Sequence, residues 1–267
     1  MSVALLGIPL DANSSYMFGT AKAPTAVRQA LHSGSGNHAT EHGIDVVDQL
    51  EDLGDLVLEN TVGSHADADL ITERVAQVIT TGQPIVSLGG DHSVTYPILR
   101  AVASLVSELT VVHIDAHPDL YDDLDGNPLS HASPFARAFE DDCMQRLVQL
   151  GIRTATQHQR AQGERWDVTM IPPRQLDRFD AETITGPVYL SIDLDGLDPS
   201  VAPGVSHHEP GGLTFREVLD IIDSLRGHEI VGADIVELNP ERDVVDMTAA
   251  VAAKLLKEVT GAILATS

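Results

Sequence analysis

The chain has 267 residues, with sixteen basic against forty acidic side chains and a formal charge of -24. That balance repels phosphate backbones and anionic membrane surfaces, so neither nucleic acid nor membrane is expected as a partner. One cysteine excludes a disulfide framework or thiolate metal cluster, and 43% hydrophobic but 4% aromatic content fits the aliphatic core of a single α/β domain spanning 1–267. Cys143, in an acidic stretch, reads as an ordinary helix residue. The sequence opens directly into Val3-Ala4-Leu5-Leu6-Gly7-Ile8 without a basic leader, and its C-terminal apolar stretch is interrupted by Lys254, Lys257 and Glu258. A soluble cytoplasmic protein is therefore expected.

In chain order, short apolar runs at 3–8, 84–88, 110–114, 147–150, 188–192 and 230–236 predict buried strands. Between them, 66–80, 94–108 and 215–225 carry apolar residues at three and four residue spacing and predict helices, with a last helix over 247–265. Thr214 followed by Glu217 predicts a capping box at the start of one of them. No repeat or linker divides the chain. The alternation predicts an α/β fold of three layers, αβα, with a mostly parallel sheet. Its crossovers are right-handed and its ligands gather at the carboxyl ends of the strands.

Unusual polar residues do follow three of the strands. The run 84–88 leads into Gly89-Gly90-Asp91-His92-Ser93, 110–114 into Asp115-Ala116-His117-Pro118-Asp119, and 188–192 into Asp193-Leu194-Asp195-Gly196-Leu197-Asp198. In extended chain alternate side chains share a face, so Asp115, His117 and Asp119 can point one way, as can Asp193 and Asp195. With His92 they make two imidazoles and four carboxylates, a hard, sulfur-free set that favours Mn2+. Four close carboxylates stay ionised only if cations neutralise them, and two divalent ions balance them. Such a pair also acidifies a shared water enough to make it a nucleophile near neutral pH. A lone Asp-x-His is more often a surface or core feature; three such elements after three strands make a chance acidic loop a poor explanation.

These segments resemble the signature blocks of the ureohydrolase family of arginases, agmatinases and formimidoylglutamases. The similarity extends to Gly7-Ile8-Pro9, Gly19, Ala23-Pro24 and Arg28, and to Asp198-Pro199 through Glu209-Pro210-Gly211-Gly212-Leu213-Thr214. Gly126-Asn127, Ser130-His131-Ala132, Pro203-Gly204-Val205-Ser206-His207 and Val231-Gly232-Ala233-Asp234 most resemble the plant-type arginases. The resemblance implies the arginase/deacetylase-like fold and two Mn2+ per subunit. One ion is held by His92 and Asp119, the other by His117 and Asp195, and Asp115 and Asp193 bridge both. Ni2+ and Co2+ are not excluded by oxygen-rich ligands. Relatives assemble as trimers or hexamers, so a homo-oligomer is implied as well.

Hydrolysis of a planar, resonance-stabilised guanidinium needs a nucleophile, a carboxylate to orient the cation and an acid for the departing amine. Glu237, at another strand end, matches the family's catalytic glutamate, and His131 matches the histidine proposed to shuttle protons. Asp91, beside a ligand, is expected to fix His92 or its loop. At the far end of the substrate, Asn127 and Ser130 lie on the loop that in arginases binds the α-carboxylate, and His207 brings an imidazole near the guanidinium.

L-Arginine, cleaved to L-ornithine and urea, is the expected substrate. Pro128 and Leu129 stand where plant-type members tend to have a basic residue and Tyr, which leaves agmatine or another ω-guanidino compound open. Two further classes compete. A single-zinc deacetylase of related fold would not need both Asp119 and Asp195, and an inactive regulatory homologue could discard ligands that are all present here.

Overall fold

The computed structural model describes residues 2–266. Its strands are β1 (Val3–Ile8), β2 (Leu50–Asp55), β3 (Ile85–Gly89), β4 (Thr110–Ile114), β5 (Arg146–Leu150), β6 (Thr169–Ile171), β7 (Val188–Asp193) and β8 (Ile230–Val236). They form one sheet in the order β2-β1-β3-β8-β7-β4-β5-β6, every pairing parallel. The helices are α1 (Ala23–Leu31), α2 (His65–Ile79), α3 (Thr95–Ala103), α4 (Pro134–Glu140), α5 (Gln157–Arg165), α6 (Phe215–Ser224) and α7 (Met247–Leu264). No helix among the described residues is long and apolar enough to cross a membrane.

Alternation along each strand fills two cores. Val3 and Leu5 of β1 pack with α1, α6 and α7, whereas Ala4, Leu6 and Ile8 pack with α2 and α3. Burial on both faces is why these strands read as continuous apolar runs, and it makes the three-layer α/β architecture. The capping box at α6 forms: Glu217 N–H donates to Thr214 Oγ1 at 3.2 Å, and Thr214 N–H to Glu217 Oε2 at 2.7 Å.

Several elements differ from the sequence expectation. The edge strands β2 and β6 went unread because β2 exposes most of its polar residues and β6 has only three; their neighbours' open edges define them. Helix α5 is almost wholly polar and is started by the reciprocal cap of Thr156 and Gln159. Helices α1, with Pro24 in its first turn, and α4, which opens on Pro134, were also not expected; both begin at a proline, which suits a first helical turn. The helix expected over 94–108 stops at Ala103, and the chain then turns through Glu108 at φ 57. Cys143 is not a helix residue: it lies buried in the link between α4 and β5.

One register row across the middle of the sheet is polar. Ser87 pairs with Asp234, Asp234 with Ser191, Ser191 with His113 and His113 with Gln149, across β3, β8, β7, β4 and β5. All five are fully buried. The row lies two residues before the strand ends at Gly89, Asp115 and Asp193, directly beneath the loops that carry the clustered acids and histidines.

Candidate metal centre

The loops after β1, β3 and β8 are stitched together by backbone. Asp91 N–H donates to Leu10 O at 2.7 Å and Glu237 N–H to Gly90 O at 2.8 Å. Gly90 is required, because a Cβ there would lie 1.9 Å from Leu10 O. Glu237 itself sits at φ 65, a conformation costly for a side-chain-bearing residue, which breaks the line of β8 as it leaves Val236. Its Oε1 accepts the N–H of His92 at 2.9 Å, so Glu237 and His92 fix one another.

The carboxylates are oriented by a repeated device in which one oxygen takes a backbone N–H and the other faces an imidazole. Asp193 Oδ1 accepts from Asp195 N at 2.7 Å, and its Oδ2 lies 3.2 Å from His92 Nδ1. Asp195 Oδ1 accepts from Ala116 N at 3.2 Å, and its Oδ2 lies 3.1 Å from His117 Nδ1. Asp119 Oδ2 is 3.0 Å from His92 Nδ1. Asp115 reaches both rings, Oδ2 being 3.2 Å from His92 Nδ1 and Oδ1 3.4 Å from His117 Nδ1.

The rings are set from behind by the polar row. Ser191 gives its proton to Asp234 at 2.7 Å, so its oxygen accepts from His92 Nε2–H at 2.9 Å and leaves Nδ1 as the free nitrogen. Asp234 also takes the hydroxyls of Tyr189 and Thr95 at 2.8 and 2.9 Å. On the other side Gln149 donates to His113 Nδ1 at 3.0 Å, so His113 Nε2–H donates to Asp115 Oδ2 at 2.8 Å.

His92 Nδ1 is a test of whether a cation belongs here. It is fully buried, has three carboxylate oxygens within 3.2 Å, and is aligned with none of them as a hydrogen bond. A buried nitrogen inside an oxygen cage is a liability unless something positive sits among them. The electrostatics agree. Burial opposes charge on His92, yet Asp115, Asp119 and Asp193 outweigh it and hold its pKa well above the ordinary value. His117 is likewise raised, by Asp195 and Asp115 against burial. Burial and the neighbouring acids push Asp193 well up and Asp195 up to about 6. A cation would relieve both the crowded acids and the protonated rings. The donor set fits two: Asp115, His117 and Asp195 converge as one group, and His92 with Asp115, Asp119 and Asp193 as another.

His131 closes the site from the loop before α4. Its Nδ1 lies 2.9 Å from Glu237 Oε1 and its Nε2 2.9 Å from Ser15 Oγ. Burial lowers its pKa, but Glu237 overrides this and raises it to about 9, while Glu237 is held below the usual carboxylate range. The ring of His207 packs beside those of His131 and His117, with centroids 5.1 and 5.9 Å away. A cavity of about 200 Å³ opens over these residues, lined by His117, Asp119, His131, Asp193, Asp195, His207 and Glu237, and by Ser15, Tyr121, Leu124, Thr154, Thr156 and Gln159. A larger hollow of about 730 Å³ lies at the opposite strand ends, around Pro84, Val106 and Ile230, among mostly aliphatic side chains.

Two expected residues sit away from the cavity, and Asp91 fills the second of its two expected roles, holding the loop rather than the His92 ring. Asp91 does not touch the His92 ring: it caps Ser93 N–H at 3.1 Å and accepts Asn13 N–H at 3.0 Å, holding the loop. Asn127 donates to Asn13 Oδ1 at 3.0 Å and accepts from Leu129 N, and Ser130 Oγ accepts from Ala132 N. Neither Asn127 nor Ser130 lines the cavity. Ser15, Ser191, Asp234, His113 and Gln149 were missed. His113 and Ser191 were findable, each standing two residues before an aspartate and so on its face of the strand.

The arginase family model matches residues 1–261. The chain is 46% identical to "Arginase 1, mitochondrial" of Arabidopsis thaliana, across 98% of this chain and 81% of that protein. It is 44% identical to "Arginase 2, chloroplastic/mitochondrial" of the same plant, across 97% and 79%. Among solved structures, that of an arginase from Medicago truncatula superposes with a TM-score of 0.90 at 41% identity, across 98% of this chain and 87% of that one. The cytoplasmic placement expected above is overturned by these relatives, which are named for organelles. A compartment is addressed by removable segments, so the folded chain's own composition is no guide to it.

Proposed function

The chain belongs to the arginase family, and from that premise we propose that it hydrolyses L-arginine to L-ornithine and urea at a pair of Mn2+ ions. His92, Asp119, Asp115 and Asp193 would hold one ion, and His117, Asp195 and the same two aspartates the other. When bound, the pair neutralises the four carboxylates and acidifies water into a nucleophile near neutral pH.

The protein's own groups do the rest. The Glu237 carboxylate, ionised and held by the His92 N–H, receives the guanidinium and presents its carbon to the acid-lined floor of the cavity. His131, protonated at neutral pH because Glu237 faces it, supplies the proton that the departing amine needs. Ser15 on its far nitrogen keeps the ring in place and gives it a route to solvent. Burial keeps water other than the nucleophile away from these charges and strengthens each interaction.

The observation that carries this reading is the His131–Glu237 pair at 2.9 Å over the same cavity as His117, Asp119, Asp193 and Asp195. An acid and a cation-orienting carboxylate facing a cation-demanding acid cluster are the three parts that guanidinium hydrolysis requires. Arginine is supported over agmatine by the names of the plant relatives. With Asn127 and Ser130 turned away from the cavity, the α-carboxylate and α-amine fall to its other wall, near Tyr121, Thr156 and Gln159. The proposal takes the chain as one catalytic unit that assembles as a trimer or hexamer, which light scattering measures. Its test is urea release from arginine, agmatine and 4-guanidinobutyrate by the Mn2+-loaded protein. Arginine is expected to have the highest kcat/KM; no urea from any of them at full metal loading would overturn it.

A further inference from the structure

We propose that His131, His207 and Glu237 form a third cation site at the mouth of the cavity, suited to Zn2+, and that an ion bound there excludes the guanidino substrate. One ring nitrogen of each histidine and a carboxylate oxygen of Glu237 all lie within 4.8 Å of one another. Two imidazoles and one glutamate with a side open to solvent are the donor set of an open zinc site. The deeper cluster is different in kind, with four carboxylates to two imidazoles, and prefers a harder ion.

Two independent features support ligation. Among the described residues, no hydrogen bond engages the ring of His207, which makes only ring contacts with Tyr16, His117 and His131. Glu237, for its part, leaves β8 at φ 65 with its Oε1 2.9 Å from His131 Nδ1. Guanidinium chemistry uses Glu237 and His131 but gives His207 no task; a third ligand position does.

The site and the substrate compete because both need the Glu237 carboxylate, and an ion bound there also displaces to solvent the proton that His131 holds against Glu237. This exclusion rests on the function proposed above, whereas ion binding itself does not. The neighbouring divalent pair would repel a third ion, so its affinity is expected to be weaker than that of the deeper positions.

The experiment titrates Zn2+ into the Mn2+-loaded full-length protein and follows bound metals by elemental analysis alongside arginine kinetics. Expected is one Zn2+ gained per chain with Mn2+ unchanged at two, and a rise in KM for arginine at constant kcat. His207→Gln should raise the half-saturating Zn2+ concentration by at least about tenfold, the lower end of what even outer partners of a metal contribute. Zinc-edge anomalous diffraction from the unsubstituted holoenzyme should place a peak among His131, His207 and Glu237, which keeps the test independent of the variant's folding. Zn2+ entering only as Mn2+ leaves, a peak confined to the deeper cluster, or undiminished Zn2+ binding in His207→Gln would overturn the site. If no guanidino compound yields urea, the proposed reaction fails, while the zinc count and the anomalous peak still decide this site.

Discussion

Ser191 stands between His92 and Asp234, its oxygen 2.9 Å from His92 Nε2 and its proton given to Asp234 at 2.7 Å. The chain from carboxylate through hydroxyl to imidazole decides which ring nitrogen of His92 is free to face Asp115, Asp119 and Asp193. Removing the hydroxyl leaves a buried N–H without an acceptor. Ser191→Ala is therefore expected to cost roughly 1–3 kcal/mol of stability, as for any orphaned buried donor. It should also weaken metal binding by about 10–100-fold, the usual effect of losing a group that orients a ligand. Denaturant unfolding of the metal-free protein measures the first and a Mn2+ titration the second. Wild-type affinity in a destabilised variant would show that the orientation of His92 is set elsewhere.

Glu237 and His131 are coupled titrations. In the metal-free protein His131 has its pKa raised to about 9 by Glu237, above the ordinary 6.5. The stability this gives is fully present below about pH 6.5 and is lost as pH rises through about 9. Glu237→Gln removes the charge, and the His131 titration should fall from about 9, because burial is then opposed only by the smaller pull of Asp119 and Asp91. Histidine NMR follows it directly. An unchanged His131 titration in that variant would mean that other acids hold its proton.

Gly90 has no room for a side chain: a Cβ would meet the backbone oxygen of Leu10 at 1.9 Å, and backbone cannot rotate aside. Gly90→Ala should destabilise the fold by about 1–3 kcal/mol through overpacking and pull apart the Glu237 N–H to Gly90 O contact. It should therefore lower kcat more than thermal stability alone explains. A variant with full kcat and native melting behaviour would show that the three strand ends tolerate separation.

Much of this was legible in the sequence for a physical reason. Strands β3, β4, β7 and β8 are buried on both faces, so they read as predominantly apolar runs, and the clustered acids and histidines that follow them interrupt the pattern abruptly. Edge strands and polar helices have no such contrast: Leu50–Asp55 and Gln157–Arg165 are shaped by a neighbour's edge and by a cap. The polar row was hidden for the opposite reason. Ser87, Ser191 and Asp234 are single polar residues inside strands, and only the register of five strands from distant parts of the chain brings them into line. The far wall of the cavity was invisible, because Tyr121, Thr154 and Thr156 come from loops, and Gln159 from the first turn of the polar helix α5, whose paths no apolar periodicity encodes.

Asp115 is the residue on which both imidazoles depend, one oxygen turned to each. Metal content and urea production of Asp115→Asn, measured beside the unsubstituted protein, bear most directly on a paired-ion hydrolase. Two ions per chain and urea from arginine are expected of the unsubstituted protein, and one ion or none with no urea of the variant. A variant that keeps both ions and releases urea at the original rate would contradict the paired-ion reading.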